Sequence, residues 1–227
     1  MLVSLCIPCR NRTHDLKEVM PTFIATANAS PPVEICVLNY NTQDDLADWM
    51  GLLMENTPLE GGSQFRYMAY WGRDRYHMAH ARNLSVAMSY GEYITICSAD
   101  IAPKPAYMQA VRERIAEGAV WMQPRKYRGI MVLRREEFFE AGGFDERFEF
   151  YGKEDIDLED RLKRRGLMPV QVPTALHVIK TPNSIKSKGY RLDISKAAMN
   201  RRARPIYLDN CEKGVLVANE GQEWGQW

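Results

Sequence analysis

Short apolar runs alternate with amphipathic stretches along the first hundred residues. The runs are six or seven positions long and rich in β-branched or aromatic residues, which is typical of strands. They cover residues 2–8, 33–39, 65–71 and 92–97. Helical patterns lie between them, over residues 13–28, 44–55 and 78–90, and Thr13 is the expected N-cap of the first. This alternation predicts an α/β fold with parallel strand pairing.

A second pattern, of charge rather than hydropathy, marks residues 142–166. The stretch reads GGFDERFEFYGKEDIDLEDRLKRRG. Acids fill its middle, bases fill its end and Gly166 follows, an order that suits the dipole of a helix and its left-handed stop. The acids are Glu154, Asp155, Asp157, Glu159 and Asp160, and the bases are Arg161, Lys163, Arg164 and Arg165. We therefore predict a helix that begins near Glu154.

The apolar positions of that helix define its inward face. At about 100° per residue, Leu158 and Leu162 form a stripe toward the core, and Glu154 and Asp155 flank it. The acids expected at the surface are Asp157, Glu159 and Asp160. An inward acid must be desolvated, capped or used, so Glu154 and Asp155 are candidate functional residues.

Composition and charge narrow the function classes. The chain has 227 residues, 30 bases and 29 acids, so its net charge is +1 and no global field attracts nucleic acid or membrane. The first apolar run is too short to span a membrane, and it lacks the basic leader of a signal peptide. The expectation is a cytoplasmic protein with no transmembrane segment.

The cysteines agree with a reducing compartment. Cys6, Cys36 and Cys97 each lie in an apolar run, which predicts buried thiols on neighbouring strands. Cys6 and Cys9 form a lone CxxC, but no second pair or nearby histidine completes a zinc site. We expect no disulfide framework.

Polar segments follow three of the predicted strands. They read PCRNR after the first, NYN after the second and SAD after the fourth. In an α/β sheet the ligand site lies beyond the carboxyl ends of the strands, so these segments are candidate binding loops. The sequence contains no GxGxxG and no GxxxxGK[ST] motif, which argues against a dinucleotide fold and a P-loop.

At these residues the chain resembles a family, the GT-A-fold nucleotide-sugar glycosyltransferases. VSLCIPCRNR and HARNLSVAMSYGEYITICSAD are similar to the first half of family 2 enzymes. GIMVLRREEFFEAGGFDERFEFYGKEDIDLEDRLKRRG is similar to the acceptor-side region of galactosyl- and N-acetylgalactosaminyltransferases. The resemblance implies one GT-A domain over residues 1–180, with a mostly parallel central sheet flanked by helices. Residues 1–102 would bind the nucleotide-sugar, residues 103–180 would face the acceptor, and residues 181–227 would form a basic extension.

The resemblance assigns the donor site residue by residue. The residues implied to bind the nucleotide-sugar are Pro8, Arg10, Asn11, Asn39, Asn41, Arg82, Ser98, Ala99 and Asp100. Ser98-Ala99-Asp100 stands where the family has a DxD motif that holds Mn²⁺ or Mg²⁺. Serine replaces the first acid, so Asp100 is the implied metal ligand, with His177 as the second. A metal-independent enzyme is the alternative.

The resemblance also assigns the transfer chemistry. Asp155 is the implied general base for the acceptor hydroxyl, and Glu154 holds hydroxyls beside it. The aromatic loop before the helix offers rings that suit stacking on a sugar, so Tyr151 and the adjacent Gly152 are candidate acceptor contacts, whereas Phe148 is expected in the core. A single displacement from a UDP-sugar to a glycan or other hydroxyl acceptor gives inversion. Residues 180–204 carry eight bases and one acid, and this segment is a candidate lid over the diphosphate, through Lys180, Lys186 and Lys188.

Other functions stay open at this point. A modified DNA base would also explain the basic segment, although no nucleic-acid module is recognisable and this acceptor is not favoured. A nucleotidyltransferase would need a glycine-rich basic signature near the first strand, and CIPCRNR contains no glycine. Ser98 in the DxD position would suit a catalytically silent domain that binds nucleotide-sugars or glycans.

Overall fold

The computed structural model describes residues 1–180, 182 and 195–226. Its strands are β1 (Val3–Cys9), β2 (Val33–Tyr40), β3 (Gln64–Tyr70), β4 (Tyr93–Ile96), β5 (Ile101–Pro103), β6 (Trp121–Pro124), β7 (Val132–Arg134), β8 (Val170–Val172) and β9 (Leu176–Val178). Its helices are α1 (Thr13–Ala29), α2 (Leu46–Asn56), α3 (Met78–Ala87), α4 (Pro105–Ala116), α5 (Arg135–Glu140), α6 (Glu154–Arg164) and α7 (Lys196–Glu212).

Seven strands form one sheet in the order β3-β2-β1-β4-β7-β6-β8. Strands β3, β2, β1 and β4 are parallel, while β7 runs antiparallel to both of its neighbours. A separate two-stranded sheet pairs β5 with β9 in the antiparallel sense. The predicted α/β class with a mostly parallel central sheet is therefore confirmed.

The central strands are apolar on both faces because helices cover both. Every residue of β1 and β2 is buried, as expected for parallel strands between two helical layers. Cys6 lies opposite Cys36 in the sheet, and the N–H of Cys97 donates to the carbonyl of Cys6. All three thiols are buried and free, which confirms their predicted placement.

Thr13 does not cap α1. It is the first residue of the helix, and its hydroxyl donates to Oδ1 of Asp44 at 2.6 Å. The side chain therefore ties the start of α1 to the loop after β2. Asp44 also accepts from the backbone N–H of Thr13 at 3.1 Å, so an acid from another loop satisfies a free N–H of the first turn in place of a local cap.

The charged helix α6 is buried more deeply than its own pattern predicts. Glu154 is 2% exposed, as expected, whereas Asp155 is half-buried. The surface prediction is wrong for Asp157 and Glu159, which are 1% and 0% exposed. Asp160 is partly buried and accepts a hydrogen bond from the hydroxyl of Tyr207 at 2.7 Å.

Helix α7 explains the burial of Asp157. Asn210 on α7 donates to Asp157 at 2.7 Å and to Asp145 at 3.0 Å, so α7 covers the face expected to meet solvent. Arg161, which is fully buried, pairs with Asp157 at 2.8 Å and donates to the carbonyl of Gly143 at 2.7 Å. Each buried charge therefore has partners, as burial requires.

Glu159 is satisfied from another direction. The side-chain amide of Gln123 donates to it at 2.7 Å, and Arg128 forms an ion pair with its second oxygen. Gln123 lies in β6 and Arg128 in the loop that follows, so this acid anchors α6 to the sheet. Among the described residues, no helix is long and apolar enough to cross a membrane.

Candidate active site

The loops after β1 and β2 meet at one edge of the sheet. The backbone N–H of Asn11 donates to the hydroxyl of Thr42 at 2.6 Å, and Oδ1 of Asn11 accepts from the N–H of Gln43 at 2.6 Å. Asn39 accepts from the N–H of Thr42 at 2.9 Å. Asn11 and Asn41 adopt positive φ angles of 52° and 48°, which asparagine tolerates better than most residues. The structure thus brings three of the implied donor residues together.

Arg10 fixes a third loop at the same edge. It is 4% exposed, and its guanidinium donates to the carbonyls of Tyr40 at 3.3 Å, of Arg73 at 3.1 Å and of Asp74. Asn41 donates to the same carbonyl of Arg73 at 2.8 Å. Arg10 therefore shapes the loop after β3 as well as standing beside the implied nucleotide site.

Asp100 has a cationic neighbour that the motif did not indicate. Nη2 of Arg12 lies 3.1 Å from Oδ2 of Asp100, and the hydroxyl of Ser98 donates to Oδ1 at 2.8 Å. Asp100 is 3% exposed. Although burial lowers the pKa of Arg12, Asp100 and Asp15 raise it more strongly, so the guanidinium stays charged. The only sequence signal for Arg12 is its place directly before α1.

The second implied metal ligand is also engaged. His177 lies in β9 opposite Ala102, and its Nδ1 is 2.8 Å from the hydroxyl of Thr22 on α1. In the described ranges, no group of three or more His, Cys, Asp and Glu side chains is placed to hold a metal ion. Mn²⁺ and Mg²⁺ require several oxygen or nitrogen ligands. As arranged, Asp100, Ser98 and His177 do not fit a divalent cation.

A second carboxylate–arginine pair forms where α6 begins. Nη1 of Arg82, on α3, lies 3.2 Å from Oε1 of Glu154, and the N–H of Gly152 donates to Oε2 at 2.8 Å. A side chain on Gly129 would place its Cβ 3.6 Å from Nη2 of Arg82 and 3.9 Å from Oδ2 of Asp155. Arg82, Glu154 and Asp155 are therefore gathered around the backbone of Gly129.

The two acids of this turn differ in environment. Burial raises the pKa of Glu154 above its ordinary value of 4.5; Arg82 opposes the increase, and the charge of Asp155 adds to it. Asp155 is half-buried, and its Oδ1 accepts from the N–H of Ile156 at 2.9 Å. Asp155 is therefore the acid that a ligand can reach, while Glu154 is held by protein groups.

Tyr76 is close enough to both arginine–carboxylate pairs for their charges to act on its hydroxyl. Burial raises the pKa of its hydroxyl to about 12, with smaller effects from Arg82, Arg12 and Glu154. Its ring packs edge-on against that of Tyr40, with 5.5 Å between centroids. Nothing in the sequence pattern singled out Tyr76, because the loop around it has no periodicity to interpret.

The other implied donor residues frame this edge. Pro8 is buried within β1 opposite Leu38, and Ala99 is 3% exposed. On the acceptor side, the ring of Tyr151 lies under Nζ of Lys196, at 4.3 Å from its centroid. Gly152 is packed against Asn200, whose Oδ1 would lie 2.1 Å from an added Cβ. Phe148 is in the core, as predicted.

The lid prediction falls mostly outside the described residues. Lys180 is exposed at the end of the described segment that follows β9. Lys186 and Lys188 lie outside the described residues. Their assignment to a lid stays a prediction.

Solved structures share this architecture. A mannosyltransferase from Pyrobaculum calidifontis, in complex with GDP-Man and Mn²⁺, matches with a TM-score of 0.66 over 91% of this chain and 68% of its own, at 16% identity. Staphylococcus aureus TarS in complex with UDP matches with a TM-score of 0.62 over 94% and 72%, at 10% identity. The catalytic domain of Drosophila β1,4-galactosyltransferase 7, in complex with xylobiose, gives 0.55 over 87% and 77%, at 15% identity.

The chain has the GT-A fold. Residues 122–188 match a family model described as the N-terminal domain of galactosyltransferase. A stretch of 45 residues is 49% identical to N-acetylglucosaminyl-diphospho-decaprenol L-rhamnosyltransferase of Mycobacterium tuberculosis. That stretch is 20% of this chain and 14% of the relative, so the match spans a small part of that protein. The matching family, the Pyrobaculum and Drosophila proteins and the Mycobacterium relative are all glycosyltransferases by name, as the sequence resemblance predicts.

Proposed function

We propose that this GT-A domain transfers a hexose or N-acetylhexosamine from a UDP-sugar to an acceptor hydroxyl. The observation that supports it most directly is the grouping of Arg82, Glu154 and Asp155 around Gly129. It places an accessible carboxylate beside a buried ion pair, on the same GT-A scaffold whose loops after β1 and β2 are joined by hydrogen bonds. UDP is preferred as the nucleotide because matched structures carry it, as UDP in TarS and as UDP-Gal in a Drosophila galactosyltransferase variant.

The transfer step is a single displacement. Asp155 accepts the proton of the acceptor hydroxyl while the hydroxyl oxygen attacks the anomeric carbon and the bond from that carbon to the diphosphate oxygen breaks. The sugar is transferred with inverted configuration at the anomeric carbon, and UDP leaves with the electron pair of the broken bond. Glu154 and Arg82 hold the first turn of α6 in place, so that Asp155 meets the acceptor without reorganisation.

The side chains of the strand edge, as arranged, do not favour metal assistance of the transfer. Mn²⁺ is named with the Pyrobaculum and a Drosophila structure, and a bound cation supplies positive charge to a departing diphosphate. Here Arg12 and Thr22 hold the side chains of Asp100 and His177. We therefore assign the transfer steps to the protein's own groups.

Product analysis tests the proposed reaction. The protein is incubated with UDP-glucose, UDP-galactose, UDP-N-acetylglucosamine and UDP-N-acetylgalactosamine, and the released nucleotide is identified. Release of UDP from at least one donor is expected, even with water as acceptor. In a parallel incubation with UTP and a sugar 1-phosphate, formation of a UDP-sugar with release of pyrophosphate would instead identify a nucleotidyltransferase. If the protein binds a UDP-sugar but releases no UDP, even after acceptors are added, the transferase proposal is contradicted. That result would indicate a catalytically silent binding domain.

Calorimetry with UDP, with and without Mn²⁺, tests the donor site. The comparison uses the wild type, Asp100→Ala and His177→Ala. UDP binding that weakens in Asp100→Ala supports the strand-edge site. Binding that needs Mn²⁺ and both side chains would show that a cation displaces Arg12, whereas no binding of UDP in any condition contradicts the proposed donor.

A further inference from the structure

A basic pocket lies between the start of α6 and helix α7. Its volume is about 600 Å³, and it is lined by Lys153, Ala197, Asn200, Arg201, Arg204, Tyr207 and Leu208. Three of these residues are cations and none is an acid. Within the described part of the chain, no carboxylate forms an ion pair with Lys153, Arg201 or Arg204. Among the described residues, no acid neutralises the positive charge of the pocket, although Nζ of Lys153 lies over the ring of Tyr207, 5.2 Å from its centroid.

Helical spacing aligns the two arginines. Arg201 and Arg204 are three residues apart on α7, so their side chains emerge on one face, one turn from each other. The face continues to Leu208, which is 50% exposed at the edge of the pocket. Arginine presents a planar fork of N–H donors that matches the oxygens of a phosphate. Two such forks on one wall favour a phosphate or diphosphate ligand over a single carboxylate.

Lys153 lies on the opposite wall of the pocket, and both its backbone conformation and its position at the start of α6 disfavour lysine. Its φ is 75°, in the left-handed region that favours glycine, and it occupies the N-cap position of α6 without capping the helix. A positive charge at a helix N-terminus also opposes the helix dipole. Neither the backbone nor the helix therefore favours lysine here. A bound anion would offset the unfavourable interaction of the ammonium group with the helix dipole.

The pocket adjoins the turn that carries the candidate base. Lys153 precedes Asp155 by two residues, so their Cα atoms lie at most about 7 Å apart. Gly152 packs directly on Asn200, one of the lining residues. By contrast, the lining residues include none from β1 to β4 or from the loops that follow them. The positive charge therefore belongs to the acceptor side of the site rather than to the nucleotide edge.

We propose that this pocket binds a phosphate or diphosphate group of the acceptor and thereby orients the acceptor hydroxyl toward Asp155. This inference rests on the proposed transferase function, whose acceptor it narrows to a phosphorylated one. The group can belong to a soluble sugar phosphate or to a lipid-linked sugar diphosphate. Leu208 gives the second source an apolar contact at the edge of the pocket.

Calorimetry with inorganic pyrophosphate, in the presence of saturating UDP, tests the site. The Arg201→Gln/Arg204→Gln variant should weaken pyrophosphate binding by about tenfold or more, because each arginine contributes charge-assisted hydrogen bonds. Arg202→Gln is the control, since it makes the same substitution on the same helix outside the pocket, removing one positive charge where the double variant removes two, and a change of less than about twofold is expected. Equal effects of the two variants would overturn the proposal.

Lys153→Gly separates binding from folding. Glycine adopts the left-handed backbone without steric cost, so this variant should unfold at an equal or higher temperature than the wild type while losing pyrophosphate affinity. Unchanged affinity in Lys153→Gly, together with unchanged affinity in the double arginine variant, would contradict the site. Farnesyl diphosphate identifies the source: tighter binding than pyrophosphate, reduced in Leu208→Ser, supports a lipid-linked acceptor, and equal binding supports a soluble one.

The donor proposal and the acceptor proposal fail in different ways. If substitutions in the pocket do not reduce the affinity for pyrophosphate, the acceptor inference is contradicted. The results on UDP binding and UDP release are unaffected by that outcome. Conversely, absence of UDP binding contradicts the donor. Competition between UDP and pyrophosphate for the pocket, seen as loss of pyrophosphate binding at saturating UDP in the wild type, would overturn the assignment to the acceptor.

Discussion

Residues 1–102 and the described residues after them bury different kinds of side chain. In the first part, the central strands β1 and β2 bury mostly apolar groups, with Glu34 as an exception that Arg66 and Ser4 satisfy. Its remaining buried charges lie mainly where strands end. In the second part, α6 buries three acids and an arginine along its length. In the first part, most buried charges therefore lie at the ends of strands. In the second part, buried charges join α6 to the elements packed against it.

This difference separates function from stability. A charged side chain at the open edge of a sheet is free to bind a ligand, because its substitution leaves the core intact. A charge enclosed between helices has no such freedom, since loss of its partner leaves a buried ion uncompensated. The turn at Glu154 and Asp155 combines both situations within two residues. Four changes break or sharpen this contrast.

The largest expected effect is on transfer, from Asp155→Asn. Loss of the proposed base should reduce kcat by about 10²- to 10⁴-fold while UDP affinity stays within about twofold, because the side chain acts on the proton and not on the nucleotide. Steady-state kinetics and UDP calorimetry measure the two quantities. Asp160→Asn, on the same helix, is the control and should keep most of its activity. Similar kinetics in the two variants would remove Asp155 as the base.

The next largest effect is on stability, from Arg161→Met. Asp157 would be left without its ion-pair partner in the core, which should cost about 3–5 kcal/mol in the free energy of unfolding. Arg165→Met removes a partly exposed ion pair and should cost less than about 1 kcal/mol. Urea denaturation measures both. In Asp157→Asn/Arg161→Met the cost should be smaller than in Arg161→Met, and an equal cost would show that packing, not charge, dominates.

Protonation of His77 at acid pH should lower the free energy of unfolding. Burial lowers the pKa of His77 to about 4 from 6.5, with a further contribution from Arg73. Its Nε2 donates to the carbonyl of Glu146 at 2.9 Å, and its Nδ1 accepts from the N–H of His80 at 3.2 Å, where it caps α3. Protonation of Nδ1 would break that cap.

The sign follows from the depressed pKa. Below pH 6.5 the unfolded chain binds a proton at His77 that the folded chain excludes, so stability falls from about pH 6.5 to about pH 4, by about 3 kcal/mol in total. His77→Asn keeps a capping oxygen and should remove this part of the pH dependence. The check is urea denaturation across that range, with the exposed His14→Asn as control. A profile identical to the wild type would contradict the assignment.

The smallest expected effect concerns Arg12 and the metal. Removal of the guanidinium in Arg12→Gln leaves Asp100 available to a cation, so Mn²⁺ should strengthen UDP binding about tenfold more in this variant than in the wild type, equivalent to about 1.4 kcal/mol. Lys17→Gln removes an exposed base from the same helix and should not change the response. If wild-type binding already needs Mn²⁺ and Arg12→Gln behaves alike, Arg12 does not occupy the place of the cation.

Local patterns were enough to predict the first four strands, the buried cysteines and the inward position of Glu154. Each of these depends on residues that are neighbours in sequence. The burial of Asp157 depends instead on Asn210, which is 53 positions away, and the ion pair of Asp100 depends on Arg12 across the sheet edge. A helical projection assigns a face to solvent when no partner is known, so it could not foresee that α7 covers this one.

The pair of Asp157 and Arg161 restricts how this sequence can diverge. Either residue changed alone leaves an ion enclosed between α6 and α7, so most single-step replacements pass through a poorly folded intermediate. Neutral drift at one position would have to wait for a compensating change at the other. In a library built by random mutagenesis, these two positions should therefore vary together or not at all, while Lys163 and Arg165 on the same helix vary independently.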